Sequence, residues 1–534
     1  MRKVLTAEQM REVDRLTTER YGIPSIILME NAAHAVARVI TEKLGGSVKG
    51  KSILILCGKG NNGGDGAALA RILHDDGATV EVNLFGQVEE TVGDARQNCE
   101  KLKSIASTDS ENKGCLYFEE TPLMDYWVHT SGFNVGSFDV FVDALFGTGL
   151  KRPLDSTFRN LPLVVKDQLR MENGFALDPI YSTLVLSIDI PSGLFSDVSE
   201  TPEYHIKADL TVTFTAPKAG NILSPASRAN GELVVADIGS PHVLVEEQPS
   251  QLYFADRSDA AKWLASSRFS VDSYKNKRGH ALVFAGSEDY SGAAVLAGNA
   301  AMRSGVGLVT LTVPSSIRSE VAARALPDLI VRPFDKGEFE VKADAVLIGC
   351  GLDANDAGNE AIFRKIVEER KTPVIVDAGA LAFVPTRADK SVGTPLILTP
   401  HEGEFLRLIG TDSKEAIKDR VAAVRDYATA NNVILVLKGE RVLIGAPDGR
   451  VVVNPTGNSG LGKAGNGDTL AGILVSFVAQ AAKMDIDIFE TVVAAVFIAG
   501  MAGDVAEKKY GKRVMTASDV RECLVEVFSE LENS

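Results

Sequence analysis

The densest chemical string in the first half of the sequence is Gly58-Lys59-Gly60-Asn61-Asn62-Gly63-Gly64-Asp65-Gly66. Glycines let backbone N–H groups come close to a ligand, and the start of a helix favours anionic oxygen. Asn61, Asn62 and Asp65 add oxygen acceptors suited to a hydroxyl or a hard cation. An isolated Asn-Gly reads as an ordinary turn. Here the run follows a buried apolar strand and no second strand follows it, which favours a site. Asp143 precedes a second glycine loop, Gly147-Thr148-Gly149-Leu150-Lys151-Arg152-Pro153, and Asp189 precedes Ile190-Pro191-Ser192-Gly193. Either aspartate alone could cap a helix, but three such strand ends in one sheet argue for a pocket. Near the C-terminus, Gly457-Asn458-Ser459-Gly460-Leu461-Gly462-Lys463-Ala464-Gly465-Asn466-Gly467-Asp468-Thr469 runs into an apolar helix. Consecutive N–H groups at Gly465, Asn466 and Gly467 at a helix start form an anion hole for a transferring phosphoryl group. Asp468, at its mouth, could take a proton from an attacking hydroxyl, and Lys463 would add a cation beside it. Asp468 could also cap the helix; a plain cap does not need glycines on that scale.

Short apolar runs alternating with helical periodicity must position these strings. In the first half, helices are expected over 7–20, 28–44 and 66–75, and strands over 52–57, 79–85, 138–143, 184–189 and 210–214. The stretch 104–136 is polar and weakly periodic and reads as a surface excursion. Periodicity fails around 239–256, and this sets a boundary between domains 1–244 and 245–534. Beyond it the alternation restarts: strands over 280–285, 307–313, 344–348, 374–377, 396–399 and 433–437, helices over 293–304, 359–370 and 414–430, and a hairpin over 441–453. Three helices close the chain. The fold class is therefore α/β, two tandem domains of which the first is a doubly wound sheet. In both, the glycines and aspartates gather just after strands, at the carboxyl edge where open α/β sheets bind ligands.

Composition narrows the classes. The 534 residues carry 56 Lys+Arg against 71 Asp+Glu, a net charge of −15 that makes nucleic acid an unfavoured partner. Hydrophobic residues make up 45%, enough for packed cores rather than disorder. The five cysteines are widely spaced, which speaks against a disulfide framework or a zinc site and for a reducing compartment. The N-terminus lacks the apolar core of a signal peptide, and the apolar stretches 470–482 and 492–502 are each shorter than a membrane span, so a cytoplasmic protein with no membrane partner is expected.

The Asn-Asn-Gly-Gly-Asp-Gly and Asp-Ile-Pro-Ser-Gly strings, within residues 8–225, resemble the NAD(P)H-hydrate epimerases. The run from about 255 to 530 resembles the ADP/ATP-dependent NAD(P)H-hydrate dehydratases of the ribokinase-like superfamily. It does so through Lys277-Arg278-Gly279-His280, Tyr290-Ser291-Gly292-Ala293-Ala294, Gly349-Cys350-Gly351-Leu352, Asp377-Ala378-Gly379-Ala380-Leu381, Thr399-Pro400-His401-Glu402-Gly403-Glu404 and the Gly-Asp signature. Lys59 and Cys350 stand where these families usually have proline, and Asn466 where threonine or serine is usual.

The resemblance implies a Rossmann-like epimerase domain with bound potassium, fused to a ribokinase-like dehydratase. Asn62, Asp143 and Ser192 would hold potassium. Asn61, Asn62, Gly63, Gly64, Asp65, Gly147, Thr148, Gly149, Leu150, Lys151, Arg152, Pro153 and Asp189 would line the epimerase pocket, with Asp189 handling the proton in a desolvated setting. In the dehydratase, Ala293, Gly351, His401 and Asp468 would contact the hydrate. Lys438, Gly439, Glu440, Arg441, Val442 and Gly467 would hold the donor nucleotide, ADP or ATP, with magnesium, which Glu404 could orient. The implied activity interconverts the R and S hydrates of NADH and NADPH and dehydrates the S form. Asp468 acts as base for phosphorylation of the C6 hydroxyl. A homo-oligomer is expected. The rival reading is a ribokinase-like kinase that releases a stable phosphoester.

Overall fold

The computed structural model describes residues 1–112, 115–121, 135–155, 158–163, 165, 183–334, 342–353, 357–384 and 393–533. The chain divides into two compact units, Lys3–Ser250 and Gln251–Ser534, the latter taking in Met1–Arg2.

In the first unit, β1 (Ser52–Cys57), β2 (Thr79–Phe85), β3 (Leu116–Thr121), β4 (Val140–Ala144), β5 (Leu184–Ile188), β6 (Leu210–Phe214) and β7 (Glu232–Ala236) form one sheet. Their order is 3-2-1-4-5-6-7 and every pairing is parallel, the doubly wound arrangement with its switch point between β1 and β4. Central strands buried on both faces read as continuous Ile, Leu and Val, as in Ile53–Leu56, each fully buried. One face packs against α2 (Ser25–Lys43) and α3 (Asn61–Asp75); the other buries Leu54, Leu56, Phe141 and Val185. Ahead of them α1 (Ala7–Tyr21) is closed at both ends, by a Thr6–Gln9 capping box and by Gly22 at φ 69°.

Two expectations are corrected here. The stretch 104–136 is not simply a surface excursion: it contains the end of α4 (Gly93–Asn112), which buries Leu102 and Ala106, and all of edge strand β3. Residues 113–114 and 122–134 lie outside the described residues. And α3 begins at Asn61 rather than 66, so the glycine string is the helix's first turn.

In the second unit, β8 (Leu252–Phe254), β9 (His280–Phe284), β10 (Leu308–Pro314), β11 (Ile330–Phe334), β12 (Ala345–Ile348), β13 (Val374–Val376), β14 (Leu396–Leu398), β15 (Ile434–Leu437), β16 (Leu443–Gly445) and β17 (Val451–Val453) run in the order 8-17-16-15-14-13-12-9-10-11. Strands β15 to β12, and β9 to β11, are parallel; β16 and β17 form the expected antiparallel hairpin. The aperiodic boundary 239–256 contains a short helix, His242–Glu246, and strand β8. The single helix expected at 414–430 is a 3₁₀ turn, Lys414–Ile417, followed by Arg420–Asn431, because Asp419 caps the latter by accepting from Ala422 N–H.

Three helices, Asn466–Met484, Ile488–Tyr510 and Ala517–Glu532, complete the core. Ile488–Tyr510 is long and apolar enough to cross a membrane, yet 72% of its apolar window is buried inside the unit.

Candidate active sites

In the first unit the carboxyl ends of β1, β4, β5 and β6 converge. Gly58 lies so close to β4 that a Cβ there would stand 2.0 Å from the Leu145 carbonyl oxygen, and one on Gly63 would stand 1.8 Å from that of Gly58. Gly63 and Gly64 are buried, Gly64 against Ala95 and Met29, so much of the string serves close packing of helix on strand. Gly60 and Gly149 face open space, as do the exposed Asn61, Lys151, Arg152 and Pro153; Thr148 and Leu150 are partly exposed.

Asp143 is fully buried beside this opening. It accepts from Ser192 Oγ (2.5 Å), Ser192 N–H (2.8 Å) and Ser187 Oγ (2.9 Å). Burial pushes its carboxyl up and the Ser192 bonds pull it back. No Lys or Arg pairs with it among the described residues. The Asn62 amide nitrogen is buried without a partner. A buried anion lacking a counter-cation, ringed by hydroxyl and amide groups, is a donor set that fits a hard monovalent cation.

Asp189 stands at φ 67°, in the left-handed region. The desolvated setting expected for it contains a cation: the buried Lys218 ammonium donates to its Oδ1 at 2.6 Å. Its Oδ2 accepts from Thr148 N–H at 3.3 Å, so the Gly147–Pro153 loop and the β5 end meet. Burial pushes two neighbouring carboxyls up, Asp65 well above the usual range and Asp14 to about 6. Lys218 and Asp14 went unnoticed in the sequence; nothing in their local strings marks them.

In the second unit, four adjacent parallel strands each deliver one polar residue just past their carboxyl ends: Cys350, Asp377, Thr399 and Lys438. Asp377 Oδ1 accepts from Thr399 Oγ1 (2.6 Å) and Lys438 Nζ (2.7 Å), while Oδ2 faces the Cys350 thiol at 3.8 Å. Asp468, in the first turn of Asn466–Met484, completes the group: ligand atoms of Cys350, Asp377 and Asp468 all lie within 4.8 Å of one another. Burial pushes the Asp468 carboxyl up to about 6, helped by the Asp377 charge and opposed by the Cys350 hydrogen bond and by Lys438. Carboxylates gathered beside a helix start suit a divalent cation accompanying a phosphate.

Around this centre, Gly351 sits at φ 67°, and a Cβ there would stand 2.7 Å from that of Ala293, so these two expected contacts are neighbours. Gly465 takes φ 90° as the helix cap, and the Lys438 ammonium lies 3.6 Å from where a Gly467 Cβ would be. The Lys438 ammonium thus stands beside the start of this helix. Lys463, expected there, instead donates to the carbonyls of Arg513 and Met515. Asn466 donates through Nδ2 to the Lys463 carbonyl and leaves a buried Oδ1 without a partner. His401 caps the helix Glu402–Leu408 by accepting from Glu404 N–H, and its ring is largely exposed. Within 438–442, Gly439 and Arg441 have positive φ, Arg441 donates to the Pro455 carbonyl, and Glu440 offers its carbonyl to Arg420; Val442 packs against the core.

The comparisons match both halves. Residues 281–525 fit the family described as NAD(P)H-hydrate dehydratase, and residues 25–220 the YjeF-related protein N-terminus. The bifunctional NAD(P)H-hydrate repair enzyme of Moorella thermoacetica is 35% identical, over 99% of this chain and 97% of its own. That of Thermofilum pendens is 32% identical, over 96% and 94%. The chain belongs to this family. An ADP/ATP-dependent NAD(P)H-hydrate dehydratase from Bacillus subtilis, co-crystallized with ATP/Mg2+, is 30% identical over 52% of this chain and 99% of its own, with TM-score 0.48. As a bifunctional NAD(P)H-hydrate repair enzyme, the protein joins NAD(P)H-hydrate epimerisation to NAD(P)H-hydrate dehydration. Its architecture is a doubly wound, Rossmann-like unit followed by a second α/β unit that carries the NAD(P)H-hydrate dehydratase match.

Proposed function

We propose that the 1–244 domain interconverts the R and S hydrates and that the 245–534 domain dehydrates the S-hydrate at the expense of ADP or ATP. The observation that carries the second assignment is Asp468: a carboxylate raised to about 6 at a glycine-capped helix start. Poised near neutrality, it can accept the proton of the C6 hydroxyl while that oxygen attacks the terminal phosphorus. The N–H groups of Gly465, Asn466 and Gly467, with Lys438, take up charge on the phosphoryl oxygens. Phosphorylation turns the hydroxyl into a leaving group; the ring nitrogen's lone pair expels phosphate, and loss of a C5 proton restores NADH or NADPH. Magnesium, when bound, would neutralise phosphate charge, and Glu404 would orient it. Ala293, Gly351 and His401 orient the hydrate, and residues 438–442 hold the donor.

In the first domain, Asn61–Asp65 and Gly147–Pro153 take the hydrated dinucleotide, Lys151 and Arg152 pairing with its phosphates, and Asp189 moves the proton. Potassium, when bound by Asn62, Asp143 and Ser192, would offset the buried Asp143 charge and stiffen the pocket. The substrates are NADHX and NADPHX, and a cytoplasmic setting agrees with five free cysteines.

The test supplies S-hydrate with magnesium and ADP or ATP and follows reduced-nicotinamide absorbance and free phosphate. Equal recovery of both is expected, and its loss in Asp468→Asn. A stable phosphoester product would replace this reading with the kinase one.

A further inference from the structure

Asp189 is gripped on one side only. Its Oδ1 accepts from Lys218 Nζ at 2.6 Å and from Thr213 Oγ1 at 3.1 Å, and Lys218 Nζ also donates to Thr213 Oγ1 at 2.7 Å. Lys218 is 2% exposed and makes its ion pair with Asp189. The backbone is held from the same segment. Lys218 N–H donates to Asn221 Oδ1, and Asn221 Nδ2 donates to the Asp189 carbonyl at 3.1 Å and to Asn230 Oδ1 at 3.0 Å. The other oxygen, Oδ2, turns toward the glycine loop: a Gly147 Cβ would lie 3.1 Å from it, and its hydrogen bond comes from Thr148 N–H at a long 3.3 Å. One oxygen is thus anchored and the other presented to the opening. Of the acids that surround Lys218, which are Asp14 on α1, Asp65 on α3 and Asp189, the last has the direct bond to the ammonium.

This decides which bond at C6 a carboxyl in that position can break. The hydrate carries a hydroxyl and the ring nitrogen on the same carbon, so inversion requires cleavage of either C6–O or C6–N1. Loss of the hydroxyl needs an acid to protonate it; opening of the ring needs a base to deprotonate it. Every side-chain hydrogen bond given for Asp189 among the described residues is one it accepts, the arrangement a proton acceptor needs.

Building on the reading that Asp189 faces the hydrate, we propose that Lys218 is a positioning residue that anchors Asp189 Oδ1 and leaves Oδ2 aimed at the opening as a proton acceptor, so that epimerisation runs through ring opening at C6–N1. Oδ2 takes the hydroxyl proton as C6=O forms. The C6–N1 electron pair withdraws onto N1, delocalised through C2=C3 into the carboxamide, and the proton on Oδ2 passes to N1. A half-turn about C5–C6 presents the other face of the aldehyde. The same steps in reverse close the ring with the opposite configuration. No atom is gained or lost and no co-reactant is consumed.

The test uses the full chain in potassium buffer with the R-hydrate of NADH in ¹⁸O-water, following both epimer exchange and the mass of the product, with the spontaneous reaction subtracted. Retention of the original oxygen in nearly all S-hydrate is expected. Incorporation of one solvent oxygen per inversion overturns the route. With Lys218→Met, kcat for exchange should fall by about a hundredfold at nearly unchanged KM, and Lys218→Arg should recover part of it. Exchange by Lys218→Met at the wild-type rate overturns the role of the lysine. Should that variant fail to fold, Thr213→Val weakens the same anchor without burying an unpaired charge, and its exchange rate should fall about tenfold. Absence of exchange in the wild-type chain would instead sink the epimerase reading beneath this one.

Discussion

Replacing Asp377 with asparagine should move the acid limb of the dehydratase to lower pH. A catalytic base works only when deprotonated, so kcat/KM should fall tenfold per unit below the Asp468 pKa of about 6 and level off above it. Burial is the main reason that value is high, and the Asp377 charge is the next. With ligand atoms no more than 4.8 Å apart, two unit charges at an effective dielectric of about 20 interact by about 3.5 kcal/mol, or about 2.5 pKa units before screening by neighbouring charges. Lys438, 2.7 Å from Asp377, already screens much of that field, which leaves an expected shift of about one unit, or about 1.4 kcal/mol.

The substitution also frees Lys438 from its closest partner, and a freed ammonium acts on Asp468 in the same direction. The two contributions cannot cancel. Asparagine keeps an oxygen to accept from Thr399 Oγ1, so the local packing survives. The assay is kcat/KM for the S-hydrate with ADP and magnesium between pH 4.5 and 8, read as recovered reduced-nicotinamide absorbance. Wild type should break near pH 6 and the variant about a unit lower, with a plateau reduced because a weaker base transfers the proton less well. A limb that stays put, or rises, would falsify the identification of Asp468 as the titrating base.

Asp468→Asn should abolish dehydration while stabilising the second unit. The folded-state pKa is raised, so the charged form is penalised by up to about 3 kcal/mol above pH 6, and this penalty vanishes as pH falls toward the unfolded value. Denaturant melts should show the variant ahead at pH 7.5 and level with wild type near pH 4; equal stability at both refutes the cause given for the shift. Gly63→Ala should cost several kcal/mol, because its Cβ would meet the Gly58 carbonyl oxygen at 1.8 Å, whereas Gly60→Ala should be nearly neutral to stability, with nothing within 4 Å. Comparable thermal melts for the two would show that the string is not a packing device. Asn62→Ala should raise the potassium concentration needed for half-maximal epimer exchange about tenfold with little change in melting temperature, since its buried amide nitrogen has no partner to lose. Unchanged potassium dependence would remove Asn62 from the cation site.

The legible parts of this chain were those where one residue type repeats for one physical reason. Strand β1 is an apolar run from Ile53 that a parallel sheet buries on both faces, β2 and β6 keep an apolar residue at every second position, and the sequence boundaries hold for all three. Edge strand β3, Leu-Tyr-Phe-Glu-Glu-Thr, is covered on one side only, and its polar half hides it among loop-like neighbours. The start of α3 was hidden for the opposite reason. Glycine's low helix propensity argues against a helix, while the closeness of Gly58 and Gly63 requires glycine in that turn whatever its propensity.

The sites divide in the same way. Asp143, Asp189 and Asp468 were findable because they stand at strand or helix ends beside glycines. So were Cys350, Asp377, Thr399 and Lys438, at the ends of the adjacent strands β12 to β15; the four ends form one row around Asp468 rather than separate motifs. Lys218 obeys no such rule. Ala216-Pro217-Lys218-Ala219 reads as a surface turn, and the ammonium is buried only because an acid 29 positions earlier, held at positive φ, waits for it. A buried ion pair between distant strand ends is a property of the folded sheet, which is why the charge that controls Asp189 can be read from the structure and not from its own string.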